Sequence, residues 1–262
     1  SKWQHEKLEA ALDNARENTG FYKSLPRGIR ELSDLPFTTP ADLVKDPYSF
    51  LALPLSRVGR ISTHAGSGTT SLLKRIFFSE GDLERTKEFF AAGMSAMVSK
   101  GDNVRILISS ETENSLGSLL KESLSGIGVA SEISASVKSA ATAIHEAQGA
   151  DCLVGMPAEL LYMSCISPAL RPGSVLLAAD IAPECMAERI RKNWQCDVFT
   201  HYGHTEFGYG CAVDCSYHEG LHLRHADLIF EVIDPVTDKP AAPGKSGEVV
   251  ITSLSNEAMP LI

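Results

Sequence analysis

The sequence predicts an α/β fold in which a mostly parallel sheet is covered by helices on both faces and carries a small antiparallel β unit. Two observations carry this reading. Short β-type runs alternate with helical stretches between residues 59 and 206, and after Gly203 the helical patterns stop while β-type runs continue. A helical, proline-rich lead-in over 1–58 precedes the α/β core of 59–206, and 207–262 form a β-rich subdomain of the same large domain.

In chain order, Trp3, Leu8, Ala11, Leu12 and Ala15 fall on one helical stripe, which Asn18-Thr19-Gly20 ends with a C-terminal glycine. Pro36, Pro40, Pro47 and Pro54 each fix φ and remove a backbone donor, so 26–54 reads as a wrapping segment without long elements. Strands are expected at Gly59–Thr63, Lys74–Phe78, Val104–Ile108, Val129–Ile133, Cys152–Gly155, Val175–Ala178 and Asp197–Thr200. Between them, Ser79-Glu80-Gly81-Asp82 has the spacing of a capping box that opens a helix. Further helices are expected near 115–125, 136–148, 157–165 and 183–194, with Pro157 and Pro183 in the first turn. Leu228–Ile233 and Gly247–Leu254, joined by the turn-rich stretch 234–240, form the antiparallel unit.

With 262 residues, 44% hydrophobic and 22% charged, the chain can bury a large core, which excludes a disordered tail, a collagen and a disulfide miniprotein. Its 33 acidic and 24 basic residues leave a net charge of −9, so it has no general attraction for nucleic acid. Six scattered cysteines do not make a disulfide framework and read as reduced thiols. No signal peptide opens the chain and no apolar run approaches a membrane span, so a soluble, cytoplasmic protein without a membrane partner is expected.

Two polar segments stand where strands end. Thr63-His64-Ala65-Gly66-Ser67-Gly68-Thr69-Thr70-Ser71 lets backbone amides converge and adds hydroxyl donors, with Lys74 and Arg75 following. It lacks the Gly-Lys-Ser/Thr ending of a Walker A loop, and on its own it reads first as a solvated glycine-rich hairpin. Thr200-His201-Tyr202-Gly203-His204-Thr205-Glu206 lies where open α/β sheets collect their ligands. There Tyr202 can stack on a base, Thr205 can reach a phosphate and Glu206 can hold Mg²⁺; alone, this too reads as a surface turn.

Taken together, Ser-Gly-Thr-Thr, then Tyr-Gly-x-Thr-Glu, then Gly-Glu-Val-Val-Ile-Thr at 247–252 resembles the motif order of the adenylate-forming superfamily of acyl-CoA synthetases, luciferases and adenylation domains. Within it, the lead-in at 32–43, Gly220-Leu221-His222 and Glu231-Val232-Ile233-Asp234-Pro235 resemble the phenylacetate–CoA ligase family, over essentially the whole chain. The resemblance implies an ATP-dependent carboxylic acid–CoA ligase. A carboxylate attacks the α-phosphate of ATP to give an acyl-adenylate and pyrophosphate, and coenzyme A then displaces AMP. It also implies residue roles: Ser67, Gly68, Thr69 and Thr70 on the β- and γ-phosphates, Ala179, Asp180 and Ile181 along the adenine, and Tyr202 stacked on it with Gly203 and His204 in the same turn. Thr205 would contact the α-phosphate and Glu206 would position Mg²⁺, both as catalytic groups. The partners implied are a small organic acid and coenzyme A, and a homodimer is compatible with the reading.

The sequence also departs from the family. Ser71-Leu72-Leu73 stand where a Gly-Lys-Pro is usual, which puts a lysine contact to the phosphates in question. The chain stops at Ile262, ahead of the family's ribose motif and small C-terminal domain, so an N-terminal portion of a longer ligase is expected, inactive alone in the overall reaction. Ser109–Gly117 is markedly more polar than the aromatic, glycine-rich counterpart, which speaks against an unmodified phenylacetate pocket. Cys211, Cys215, His218, His222 and His225 crowd fifteen residues. A structural Zn²⁺ held by Cys215, His218 and His222 stands beside a bland cluster of thiols and surface imidazoles. Two other functions remain open: an adenylating enzyme whose acceptor is a carrier protein or a cofactor, and a non-catalytic nucleotide-binding relative.

Overall fold

The computed structural model describes residues 2–26, 28–29, 32–65, 73–108, 110, 112–134 and 139–262. The chain runs α1 (Lys2–Asn18), α2 (Pro40–Lys45), β1 (Val58–Ala65), β2 (Leu73–Ser79), α3 (Glu80–Met94), β3 (Asn103–Ile106), α4 (Leu116–Gly126) and β4 (Ala130–Ile133). It continues through α5 (Ala140–Glu146), β5 (Cys152–Gly155), α6 (Pro157–Ile166), β6 (Ser174–Leu177), α7 (Glu184–Trp194) and β7 (Asp197–Tyr202). The remaining strands are β8 (Ala212–Val213), β9 (His222–Leu223), β10 (Leu228–Asp234), β11 (Lys239–Pro240) and β12 (Glu248–Ser253). Two compact units result: Ser1–Asp82 with Thr205–Phe207 and Arg224–Ile262, and Leu83–His204 with Gly208–Leu223.

The second unit holds the parallel sheet. Its strand order is β4-β3-β5-β6-β7-β8-β9, parallel from β4 to β7 and antiparallel across β7, β8 and β9. Helices α4 to α7 provide the crossovers that parallel neighbours require. Successive side chains on a strand point to opposite faces, and the central strands therefore feed two cores. Leu153, Val175, Leu177 and Val198 pack with Leu160, Met163, Ile190 and Trp194, from α6 and α7. Cys152, Val154, Leu176, Ala178 and Phe199 pack instead with Met94, Leu120 and Leu124, from α3 and α4. Helices cover both faces, as the alternation predicts.

In the first unit, β1 and β2 pair antiparallel as a separate two-stranded sheet. Only residues 66–72 separate them, too few for the crossover that would place them in the parallel sheet. The capping box forms at the start of α3: Asp82 N donates to Ser79 Oγ (3.0 Å) and Ser79 N to Asp82 Oδ2 (2.9 Å). Asp82 also accepts from the backbone of Glu257 (2.8 Å) and Ala258 (3.1 Å). Helix α1 buries Leu8, Ala11, Leu12 and Ala15, while Lys7 Nζ reaches Ser255 Oγ at 2.9 Å. Strands β11, β10 and β12 form the antiparallel unit. Pro157 takes the first position of α6, whereas Pro183 stands one residue ahead of α7 as its cap. Among the described residues no helix is long and apolar enough to cross a membrane.

Candidate functional site

In the second unit β6 and β7 are parallel neighbours, with Leu177 opposite Thr200, so the residues after Leu177 and after Thr200 emerge side by side at the carboxyl ends of the two strands. Ala179, Asp180 and Ile181 leave β6 there. Ala179 takes the left-handed region at φ 66°, Asp180 Oδ1 accepts from Ile181 N at 2.7 Å, and Ile181 is 83% exposed. Tyr202 ends β7, and His204 Nε2 lies 3.0 Å from its hydroxyl with the rings nearly perpendicular. Gly203 has no room for a side chain, because a Cβ would fall 1.9 Å from the Tyr209 carbonyl oxygen. These six expected adenine-side residues therefore follow the carboxyl ends of two neighbouring strands. Ser67, Gly68, Thr69 and Thr70 lie outside the described residues.

Next to these strand ends, an apolar pocket partly open to solvent lies between α3, α4 and one face of the sheet. Phe90, Met94 and Met97 line it on one side and Val154, Leu176 and Ala178 on the other. Of the described lining residues, His201 alone has a polar side chain. Desolvation pushes its imidazole below the usual histidine range, against a smaller upward pull from the Tyr202 backbone. Ile108 and Leu116 also face the pocket, while the hydroxyls of Ser110, Ser115 and Ser118 bond to one another at 2.8 and 3.1 Å. Three described serines of the polar stretch thus satisfy one another, and the described lining is hydrocarbon apart from His201.

In the first unit Thr205 and Glu206 belong to the short 3₁₀ turn Thr205–Phe207. Two side chains from the β-rich segment hold that turn: Asn256 Nδ2 donates to the Glu206 carbonyl (3.1 Å) and Arg224 Nη1 to the Phe207 carbonyl (3.3 Å). The Glu206 carboxylate pairs with Lys74 Nζ, both side chains being largely buried. Sequence reasoning missed this pair and the role of Asn256, and it missed Phe90, Met94 and Met97. The one available signal was Lys74 standing just past the glycine-rich loop.

Among the described residues no group of three or more His, Cys, Asp or Glu side chains converges as a metal site. His218 pairs through Nδ1 with Asp214 Oδ2 at 2.8 Å, Cys215 N donates to Asp214 Oδ1 at 2.7 Å, and His222 lies in β9 opposite Val213. These residues do not fit the four-ligand shell of a structural zinc. For Mg²⁺, one carboxylate completed by nucleotide phosphates is an ordinary donor set, and Glu206 fits it once released from Lys74.

Comparison with solved structures shows the fold first. A 2-hydroxyisobutyryl-CoA ligase, solved in complex with 2-HIB-AMP and CoA, superimposes with a TM-score of 0.85 at 14% identity, over 98% of this chain and 66% of that one. A long-chain-fatty-acid-CoA ligase from Archaeoglobus fulgidus does so at 0.59 and 13% identity, over 76% and 42%. The fold is that of the adenylate-forming CoA ligases. In sequence, the chain is homologous over 99% of its length to phenylacetate-coenzyme A ligases, at 27% identity to the one from Thermus thermophilus and 26% to the one from Escherichia coli. It spans 62% and 64% of those two proteins. No family model matches the chain.

Proposed function

We propose that the chain is the acid- and nucleotide-binding portion of an ATP-dependent carboxylic acid–CoA ligase. The observation that carries this is that Ala179–Ile181 and Tyr202–His204 follow neighbouring parallel strands at their carboxyl ends, next to an apolar pocket lined by Ala178 and His201. Tyr202 would stack on adenine, Ala179, Asp180 and Ile181 would line it, and Thr205 would donate to the α-phosphate. The acid, its body in the pocket, would attack that phosphate to give acyl-adenylate and pyrophosphate; the thiol of coenzyme A would then displace AMP. Mg²⁺, when bound, would supply charge neutralisation on the phosphates, and Glu206 would hold it. Ser67, Gly68, Thr69 and Thr70 would cradle the β- and γ-phosphates. The net charge of −9 supports small-molecule partners rather than nucleic acid.

The test is acid-dependent pyrophosphate exchange by the full-length protein with ATP and Mg²⁺, followed by thioester formation on adding coenzyme A. Exchange that falls about 100-fold in Glu206→Gln supports the reading. No exchange with any carboxylic acid overturns it.

A further inference from the structure

Gly93 lies in the last turn of α3, where a glycine is less stable than alanine. Glycine near a helix end ordinarily supplies a left-handed residue, but Gly93 is not among the positive-φ glycines. The helical bonding runs on past it, with Ser95 N donating to Ala91 O at 3.1 Å and Val98 N to Met94 O at 3.0 Å. Its missing side chain therefore needs another reason. Gly93 is part of the pocket wall, and a Cβ there would stand 3.3 and 3.4 Å from the two methyls of Val213, itself a lining residue. A second glycine works on the same wall from behind. A Cβ on Gly210 would fall 2.4 Å from the Phe89 ring, so only a bare backbone lets that ring sit back against it. Both glycines keep volume in a pocket whose neighbours Met94 and Met97 are the most adaptable side chains available.

We propose that Gly93 is a specificity-determining residue that sets how long an apolar body the carboxylic acid can carry, the acids accepted being monocarboxylates with a hydrocarbon chain or ring. This rests on the ligase reading for the identity of the ligand. A methyl at position 93 shortens the pocket: acids too short to reach it bind as before, and those that fill the pocket lose contact or are expelled.

The experiment is a ligand-detected NMR titration of the chain with butanoate, hexanoate, octanoate, decanoate and phenylacetate, on the native protein, Gly93→Ala and Met97→Ala, with circular dichroism to verify folding. Gly93→Ala is expected to weaken the longest acid the native protein binds at least ten-fold while changing butanoate less than two-fold. Met97→Ala is expected to extend the accepted length by at least one step of the series. An equal effect of Gly93→Ala on every acid, or no effect in folded protein, overturns the proposal. If Gly93→Ala does not fold, Met97→Ala decides: an unchanged length limit overturns it. Pyrophosphate exchange separates the two levels. Exchange with unaltered length preference in Gly93→Ala sinks the Gly93 role and leaves the ligase reading standing, whereas acid binding without any exchange sinks the ligase reading.

Discussion

Glu206 and Lys74 are 132 residues apart in sequence, and each is the charge partner the other's burial demands, with side-chain exposures of 12% and 17%. Removing one leaves the other desolvated and uncompensated, so Lys74→Met is expected to lower stability by about 1–3 kcal/mol. The double variant Lys74→Met/Glu206→Gln is expected to recover most of it. Denaturant midpoints of the two variants check this, and equal losses would refute the pairing as the cause. His201 responds to acid. Its folded-state pKa is depressed by desolvation, so the unfolded chain takes up a proton below about pH 6.5 while the folded protein still holds a neutral ring. That contribution is present above this pH and is lost as the pH falls. Stability is expected to drop between pH 7.5 and 5, and His201→Phe to flatten that part of the slope, both read by urea denaturation. Nothing local to Lys74 in the sequence announces Glu206, which is why the glycine-rich loop's following lysine could be singled out but not assigned a partner.

Elements whose determinants are short-range were legible. The Ser79/Asp82 box, the stripe of Leu8, Ala11, Leu12 and Ala15, and the apolar run of Cys152–Gly155 each carry their own signal within a few residues. Strand partnership is a non-local property, and β1 and β2 illustrate it: the runs were visible, but their separate antiparallel sheet depended on the brevity of 66–72. Strands β8 and β9, two residues each, are too short to show any period. The site divides the same way. The strand-end positions of Tyr202 and Asp180 were readable from the local pattern, whereas the apolar pocket is assembled from four strands and two helices and left a glycine in a helix as its trace. Ser79→Ala is expected to destabilise by about 1–2 kcal/mol, at the upper end of cap losses, because Ser79 Oγ also donates to Glu257 Oε2 at 2.8 Å. A shift of the urea midpoint with an unchanged slope checks it.

At the scale of the molecule, thiol chemistry follows burial. Desolvation raises Cys152 to about 12 and Cys196 to about 11, so neither forms appreciable thiolate in the native protein. Cys165 and Cys185 are exposed. Brief treatment with iodoacetamide at pH 8 is expected to alkylate these two and to spare Cys152 and Cys196 until urea unfolds the chain; peptide mass spectrometry reads the sites. The discontinuity of the first unit has a consequence in time. Its N-terminal part, Ser1–Asp82, is completed by Arg224–Ile262, through contacts such as Lys7 with Ser255 and Asp82 with Glu257. During vectorial synthesis, at about 5–20 residues per second, α1 and the β1–β2 hairpin leave the ribosome ahead of the second unit and then wait on the order of ten seconds for the segment that closes their core. Most of the second unit emerges within that interval. Ribosome-arrested chains exposed to residue 223 are therefore expected to protect Leu83–Leu223 from limited proteolysis while 1–82 is still cut, the segment made earlier becoming native later.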